Sequence, residues 1–294
     1  MTKLLFEGTA TALVTPFTKS RVDFRALDNL LDYQINGKVN AVVVLGTTGE
    51  PATMTQAEKD AVLTFVVQKL KGKIPIIVGA GTNSTAQAVE NCTRAETLGA
   101  DGLLVVTPYY NKCTQMGLLK HYELVANATK LPIIVYNVPS RTGVNMLPST
   151  FSQIAEIDNV VGIKEASGNM AQIAKVASLV KGKAAVYSGD DGLTIPIMSI
   201  GGKGIISVAS NVLPAFVSTM TRMWLDGETT IAQDMQLSLL PLVDALFEEV
   251  NPIPVKKACE ILGLAKSAVR PPLTPASKRT SIHLRKELAK FVTI

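Results

Sequence analysis

Eight short apolar runs, separated by stretches of helical period, recur along this chain of 294 residues. They are TATALV (9–14), AVVVLG (41–46), IPIIVGAG (74–81), GLLVVTP (102–108), LPIIVYN (131–137), VVGIKEA (160–166), AAVYSG (184–189) and GIISVA (204–209). Each is continuously hydrophobic rather than alternating, the pattern of parallel strands covered on both faces. The intervening stretches carry helix signals. TQAEKDAVLTFVVQKL opens with Thr55 and Glu58 at capping-box spacing, and STAQAVENCTRAETLG runs from Ser84 to a terminating Gly99.

Strand and helix alternating eight times predict a (β/α)8 barrel, an α/β fold, over residues 1–226. A doubly wound open sheet is the alternative, but no GxGxxG opens a helix after an early strand. Residues 227–294 read as a C-terminal helical extension.

Composition narrows the class. Hydrophobic residues make up 47% of the chain and charged ones 18%, enough apolar material for a large core and too little charge for disorder. No apolar run approaches a membrane span, and Glu7 and Gly8 interrupt any signal-peptide core. Cys92, Cys113 and Cys259 are widely spaced, and His121 and His283 are the only histidines, so neither a disulfide framework nor a metal site is expected. The expectation is a soluble cytoplasmic protein. Nine Lys or Arg against Glu260 and Glu287 give residues 251–294 a local excess of positive charge. Without aromatic platforms beside them, these charges read as a solvated helical face rather than a nucleic-acid surface.

A barrel places its chemistry where strands end and the following loops begin. The polar residues found there are Thr47 and Thr48, Tyr109 and Tyr110, Tyr136, Arg141, Lys164, Gly189, Asp190, Asp191 and Ser207. Taken singly, most have an ordinary reading. The threonines can shape a turn, the tyrosines can pack, Arg141 can sit in solvent, and the aspartates can cap a helix. Lys164 is harder to explain, because apolar strand residues flank it, although a lysine at a strand end can also snorkel. Read together, they describe one chemistry. A desolvated lysine keeps more of its neutral amine, which attacks a ketone to form a Schiff base. Tyr and Thr hydroxyls can carry the protons, and an arginine can hold a carboxylate.

The ordered motifs GTTGE, YYNK, YNVPSRTG, GIKEASG, SGDD and NPIPVK span essentially the whole chain. In that order they resemble the dihydrodipicolinate synthases, members of the lysine-dependent pyruvate aldolase superfamily that includes N-acetylneuraminate lyase. The resemblance implies a Schiff base between Lys164 and pyruvate, with Tyr136 as central proton donor and acceptor. It further implies that Thr48 links Tyr136 to Tyr110, which crosses the tight dimer interface of a homotetramer built as a dimer of dimers. Arg141 would bind the carboxylate of L-aspartate 4-semialdehyde. Thr47 and Thr48 would hold the pyruvate carboxylate, and Gly189 and Ile206 would offer backbone groups. No cofactor, metal, nucleic acid or membrane is implied. The product belongs to diaminopimelate and lysine biosynthesis.

GTTGE in place of GSTGE, and Arg141 followed by Thr142, favour the synthases over the neuraminate lyases. A sister aldolase acting on a sugar acid or 4-hydroxy-2-oxo acid, and a catalytically silent barrel, remain the alternatives. GGKG (201–204) precedes strand eight, the wrong side for a barrel phosphate site. Where lysine-inhibited members carry Ser, His and Glu at their regulatory interface, this chain has Pro51, Gln56, Lys59 and Gln87, with Asn83 and Tyr109 kept. Little or no feedback inhibition by lysine is expected.

Overall fold

Each of the eight apolar runs forms a strand in the computed structural model, which describes residues 4–18 and 21–293. They are β1 (Gly8–Ala12), β2 (Ala41–Val44), β3 (Ile76–Gly79), β4 (Gly102–Val106), β5 (Ile133–Asn137), β6 (Val160–Glu165), β7 (Ala185–Ser188) and β8 (Gly204–Ser207). All pairs are parallel, neighbours follow chain order, and β8 returns beside β1 to close the barrel. Closure leaves no sheet edge unpaired, so every strand is buried on both faces, and the apolar runs are continuous for that reason.

Around it lie α1 (Phe24–Asn36), α2 (Gln56–Leu70), α3 (Thr85–Thr97), α4 (Gln115–Asn127), α5 (Pro139–Thr142), α6 (Pro148–Ile154), α7 (Met170–Leu179), α8 (Thr194–Ser199) and α9 (Pro214–Leu225). The capping box of α2 is complete: Thr55 N donates to Glu58 Oε2 at 3.0 Å, and Glu58 N donates to Thr55 Oγ1 at 3.2 Å. The Ser84 hydroxyl caps α3 by accepting from Gln87 N.

The strand that carries Lys164 is irregular, and the irregularity matters. The β5–β6 register pairs Ile133 with Val160 but Ile134 with Gly162, so Val161 is an extra residue. Beyond this bulge the side-chain alternation is reset. Val161 joins the barrel interior, Ile163 joins the outer apolar layer, and Lys164 falls on the interior side beside Tyr136. Glu165 then falls on the outer side, where it is fully buried. Its carboxylate accepts from Asn137 Nδ2 at 2.7 Å, Ser167 N at 3.2 Å and Gln172 Nε2 at 3.4 Å, tying β5 and β6 to α7.

The extension comprises α10 (Thr229–Leu246), α11 (Ile253–Ile261) and α12 (Lys278–Leu288). Leu239, Val255 and Leu284 from these helices belong to the same apolar layer that covers the outside of the barrel. Most of the basic residues of this segment, among them Lys278, Arg279, Arg285 and Lys286 of α12, are exposed as expected, but two turn inward. Lys256 is buried, forms an ion pair with buried Glu50, and stacks 4.0 Å from the centre of the Phe17 ring. Arg270 lies over the other part of the same environment, 4.3 Å from that ring, and pairs with Glu58 of α2. Farther along, Arg279 pairs with Glu248, and Lys290 with Glu287. For Lys256, Arg270 and Arg279 the paired carboxylates lie far away in the chain, whereas Lys290 uses a carboxylate three residues before it.

Candidate active site

Lys164 and Tyr136 are register partners on adjacent strands, both facing the barrel interior. The Lys164 Nζ sits 4.2 Å from the centre of the Tyr136 ring, and the lysine is only 5% exposed. Burial pulls its pKa down to about 8; the Asp191 carboxylate opposes that shift and the Arg141 guanidinium adds to it. Burial pushes the Tyr136 phenol up to about 12, against the Arg141 charge and a hydrogen bond with the Thr47 side chain. The result is an amine that is readily neutral beside a phenol that stays protonated. The first suits nucleophilic attack on a carbonyl, and the second suits proton donation.

Gly189 makes room for the lysine. A Cβ there would lie 2.9 Å from Lys164 Cε, 2.8 Å from Ala166 Cβ and 3.1 Å from Glu165 O. The backbone N of Gly189 donates to Glu165 O at 2.7 Å, which holds the end of β7 against β6. The next residue, Asp190, caps a short 3-10 turn by accepting from Gly192 N at 2.9 Å. Asp191 is different: it is buried and accepts from Ser207 Oγ at 2.5 Å, Val208 N at 2.9 Å and Ala209 N at 3.3 Å. Burial raises its pKa and these three donors oppose the rise. Ile206, fully buried on β8, fills the interior below.

Thr47–Gly49 form a 3-10 turn after β2, with Leu45 before it and Glu50 after it both in the left-handed region, at φ 56° and 55°. Non-glycine residues in that region are strained, and the surrounding contacts must hold them there. The Glu50–Lys256 ion pair and a bond from Arg270 N to Glu50 Oε2, at 3.1 Å, supply such contacts. A cavity of about 670 Å³ opens above, lined by Thr47, Tyr109, Tyr136, Val138, Arg141 and Asn251 among others. Lys164, Thr48, Gly189, Ile206 and Tyr110 are not on its wall. Arg141, from α5, donates to the Asn251 carbonyl at 3.1 Å. No group of three or more His, Cys, Asp or Glu side chains arranged to hold a metal ion occurs among the described residues.

This chain, a (β/α)8 barrel with a buried lysine on strand six, matches the model of the dihydrodipicolinate synthetase family over residues 5–291. The chain belongs to the dihydrodipicolinate synthetase family. Among its relatives in this family is the 4-hydroxy-tetrahydrodipicolinate synthase of Alkaliphilus oremlandii, 48% identical over 97% of this chain and 99% of the relative. The crystal structure of the dihydrodipicolinate synthase of Thermotoga maritima superposes with a TM-score of 0.96, at 44% identity over 98% of this chain and 99% of that one. A dihydrodipicolinate synthase variant described as monomeric superposes equally well, at 0.96 and 44% identity over 97% of both chains.

In this dihydrodipicolinate synthetase family member, the strand-end residues picked from the sequence are only partly brought together. Lys164, Tyr136, Thr47 and Gly189 converge. The threonine beside Tyr136 is Thr47, which corrects the expectation that Thr48 makes that link; the Thr48 hydroxyl instead accepts from Asn251 Nδ2 at 2.9 Å. Adjacent residues in a turn point different ways, and nothing in the pair Thr-Thr shows which one faces inward. Tyr110 lies outside the site of its own chain, 89% exposed and with φ of 72°. Asp191 stands among the strand-end residues but reads from the sequence as a cap, and Asn251 carries no strand-end signal. The NPIPVK motif was a signal for Asn251 and Lys256, which it contains, but not for where they pack.

Proposed function

We propose that this chain is a 4-hydroxy-tetrahydrodipicolinate synthase, condensing pyruvate with L-aspartate 4-semialdehyde through an imine on Lys164. The observation that carries the reading is the pairing of a buried, easily neutralised lysine with a protonated phenol and the Thr47 hydroxyl. The neutral amine adds to C2 of pyruvate and water leaves, giving a protonated imine. That cation draws electrons from C3, which loses a proton and becomes an enamine. The enamine carbon attacks the aldehyde carbon of the second substrate, and its oxygen takes up a proton. The amino group of that substrate then displaces Lys164 from C2, closing the ring and freeing the enzyme.

Tyr136 carries the protons in these steps, with Thr47 as the hydroxyl that receives and returns them. Thr48 donates to the pyruvate carboxylate, and Arg141 holds the carboxylate of the semialdehyde at the cavity mouth, where its bond to the Asn251 carbonyl already orients it. Gly189, packed against the lysine, and Ile206 offer backbone groups near the bound substrate. Exposed Tyr110 completes the site of a neighbouring subunit in a dimer of dimers, and the location is cytoplasmic. Loss of activity on dilution, in step with dissociation seen by sedimentation, checks that assembly.

Pyruvate with borohydride, followed by mass mapping, tests the imine; the expected adduct is on Lys164. Turnover of a panel of aldehydes and sugar acids tests the acceptor, with aspartate semialdehyde expected to be preferred. An unmodified Lys164, or preference for a sugar acid, overturns the assignment.

A further inference from the structure

Asn251 is the point where the helical extension touches the chemistry. It lies between α10 and α11 and lines the same cavity as Thr47, Tyr136 and Arg141. It is only 6% exposed, its Nδ2 donates to Thr48 Oγ1 at 2.9 Å, and its backbone carbonyl accepts from Arg141 at 3.1 Å. Its Oδ1 has no partner among the described residues, leaving it for a water or ligand donor from the cavity.

A threonine hydroxyl is a rotor, able to accept or to donate in several directions. A carboxamide NH2 can only donate. Once Asn251 donates to it, the Thr48 oxygen is fixed as acceptor on that side and its own proton is turned away from Asn251. The support behind Asn251 is stiff. Lys256, five residues on, is clamped between Glu50 of the turn and Ala268 O, to which it donates at 2.8 Å. The turn that carries Thr48 and the segment that carries Asn251 are therefore held to each other independently of the hydrogen bond between them.

We propose that Asn251 is a positioning residue that sets the Thr48 hydroxyl to donate to the carboxylate of the 2-oxo acid substrate. This rests on the reading of Lys164 as the imine-forming lysine. Removing the Asn251 amide frees the rotor, so the 2-oxo acid loses one oriented, charge-assisted hydrogen bond. Such a bond corresponds to roughly tenfold in binding. The aldehyde substrate, held by Arg141, which the Asn251 backbone carbonyl orients whatever the side chain, is affected much less.

The test is borohydride trapping over a range of pyruvate concentrations with wild type, Asn251→Ala, Thr48→Val, the double variant and Asn251→Asp. Asn251→Ala is expected to raise the half-saturating pyruvate concentration roughly tenfold, with the trapping plateau and the KM for the aldehyde close to wild type. The double variant is expected to be no worse than Thr48→Val alone. Asn251→Asp keeps the shape but exchanges a donor for an acceptor, so it is expected to weaken pyruvate at least as much; it also serves if the alanine variant does not fold. An unchanged half-saturation in a folded Asn251 variant, or additive effects in the double variant, overturns the proposal while leaving the imine reading intact. Wild type that pyruvate and borohydride do not modify overturns both.

Discussion

The Lys164 ammonium lies 4.2 Å from the centre of the Tyr136 ring, on the strand next to it and in register with it. A face-on contact of this kind favours the cation, yet burial pulls the pKa down to about 8, with Asp191 opposing the shift and Arg141 adding to it.

Tyr136→Phe keeps the ring and removes the proton carrier. Turnover is expected to fall roughly 10²–10⁴-fold while pyruvate is still trapped on Lys164. Thr47→Val is expected to follow Tyr136→Phe more closely than Thr48→Val does, because the Thr47 side chain is the one bonded to the phenol. Steady-state rates of the three variants, measured side by side, settle the order; equal rates for Tyr136→Phe and wild type remove the phenol from the mechanism.

The depressed lysine pKa predicts two pH effects of definite sign. The rate of imine formation should rise with pH and level off above about 8, as the neutral amine becomes the main species. Stability is linked to the same proton. Below about pH 8 both folded and unfolded chains hold it, and the folded state bears the cost of burying the charge. Between about 8 and the ordinary 10.5 the unfolded chain binds more protons than the folded one, so this group's contribution to the unfolding free energy rises with pH. Lys164→Met removes the buried charge and is expected to raise the melting temperature at pH 7 by a few degrees. A melting temperature below that of wild type counts against a destabilising charge.

Gly189→Ala places a methyl 2.9 Å from Lys164 Cε and 3.1 Å from the Glu165 carbonyl, closer than ordinary contacts. Backbone on one side cannot yield, so the lysine must. Destabilisation of about 1–3 kcal/mol is expected from the overpacking, together with a loss of borohydride trapping larger than any loss of folded protein. Thermal melts and trapping on the same sample separate the two; full trapping in the variant shows that the lysine has room to spare.

Glu50→Gln leaves Lys256 buried beside Phe17 without its counter-charge. Removing one partner of a buried pair costs about 3–5 kcal/mol, whereas replacing both by neutral side chains costs far less. Urea titration of Glu50→Gln and of the double variant Glu50→Gln with Lys256→Met should show that recovery. A single variant as stable as wild type means that the pair does not hold the turn.

Lysine is expected not to inhibit. Gln56, Lys59 and Gln87 line the outer part of the cavity, and the carboxylate nearby, Asp60, is already taken by Arg94 at 2.9 Å and Gln56 at 2.9 Å. Glu50, the other carboxylate among the described lining residues, is paired with Lys256, so an incoming ammonium meets Lys59 without a free anion. Turnover measured with sub-millimolar L-lysine should be unchanged, and clear inhibition contradicts this account.

The local sequence was sufficient for the eight strands, the caps of α2 and α3, and the place of Lys164 on strand six. Those features depend on short-range periodicity and on the cost of an isolated charge in apolar surroundings, and both can be read within a few residues. The family likeness followed from the order of six motifs. What the tertiary structure alone decided is direction and long-range partnership. The β6 bulge, opposite Ile133 and Ile134, resets which side chains face inward and so aims Lys164 at Tyr136. Whether Thr47 or Thr48 meets the phenol depends on the path of a turn held by Glu50 and Lys256, residues far apart in the chain. Asn251 meets Thr48 across 203 positions, and Arg270 meets Glu58 across 212. Such contacts form only when the barrel closes and the extension folds back over it, because loop closure over that length leaves no trace in local pattern.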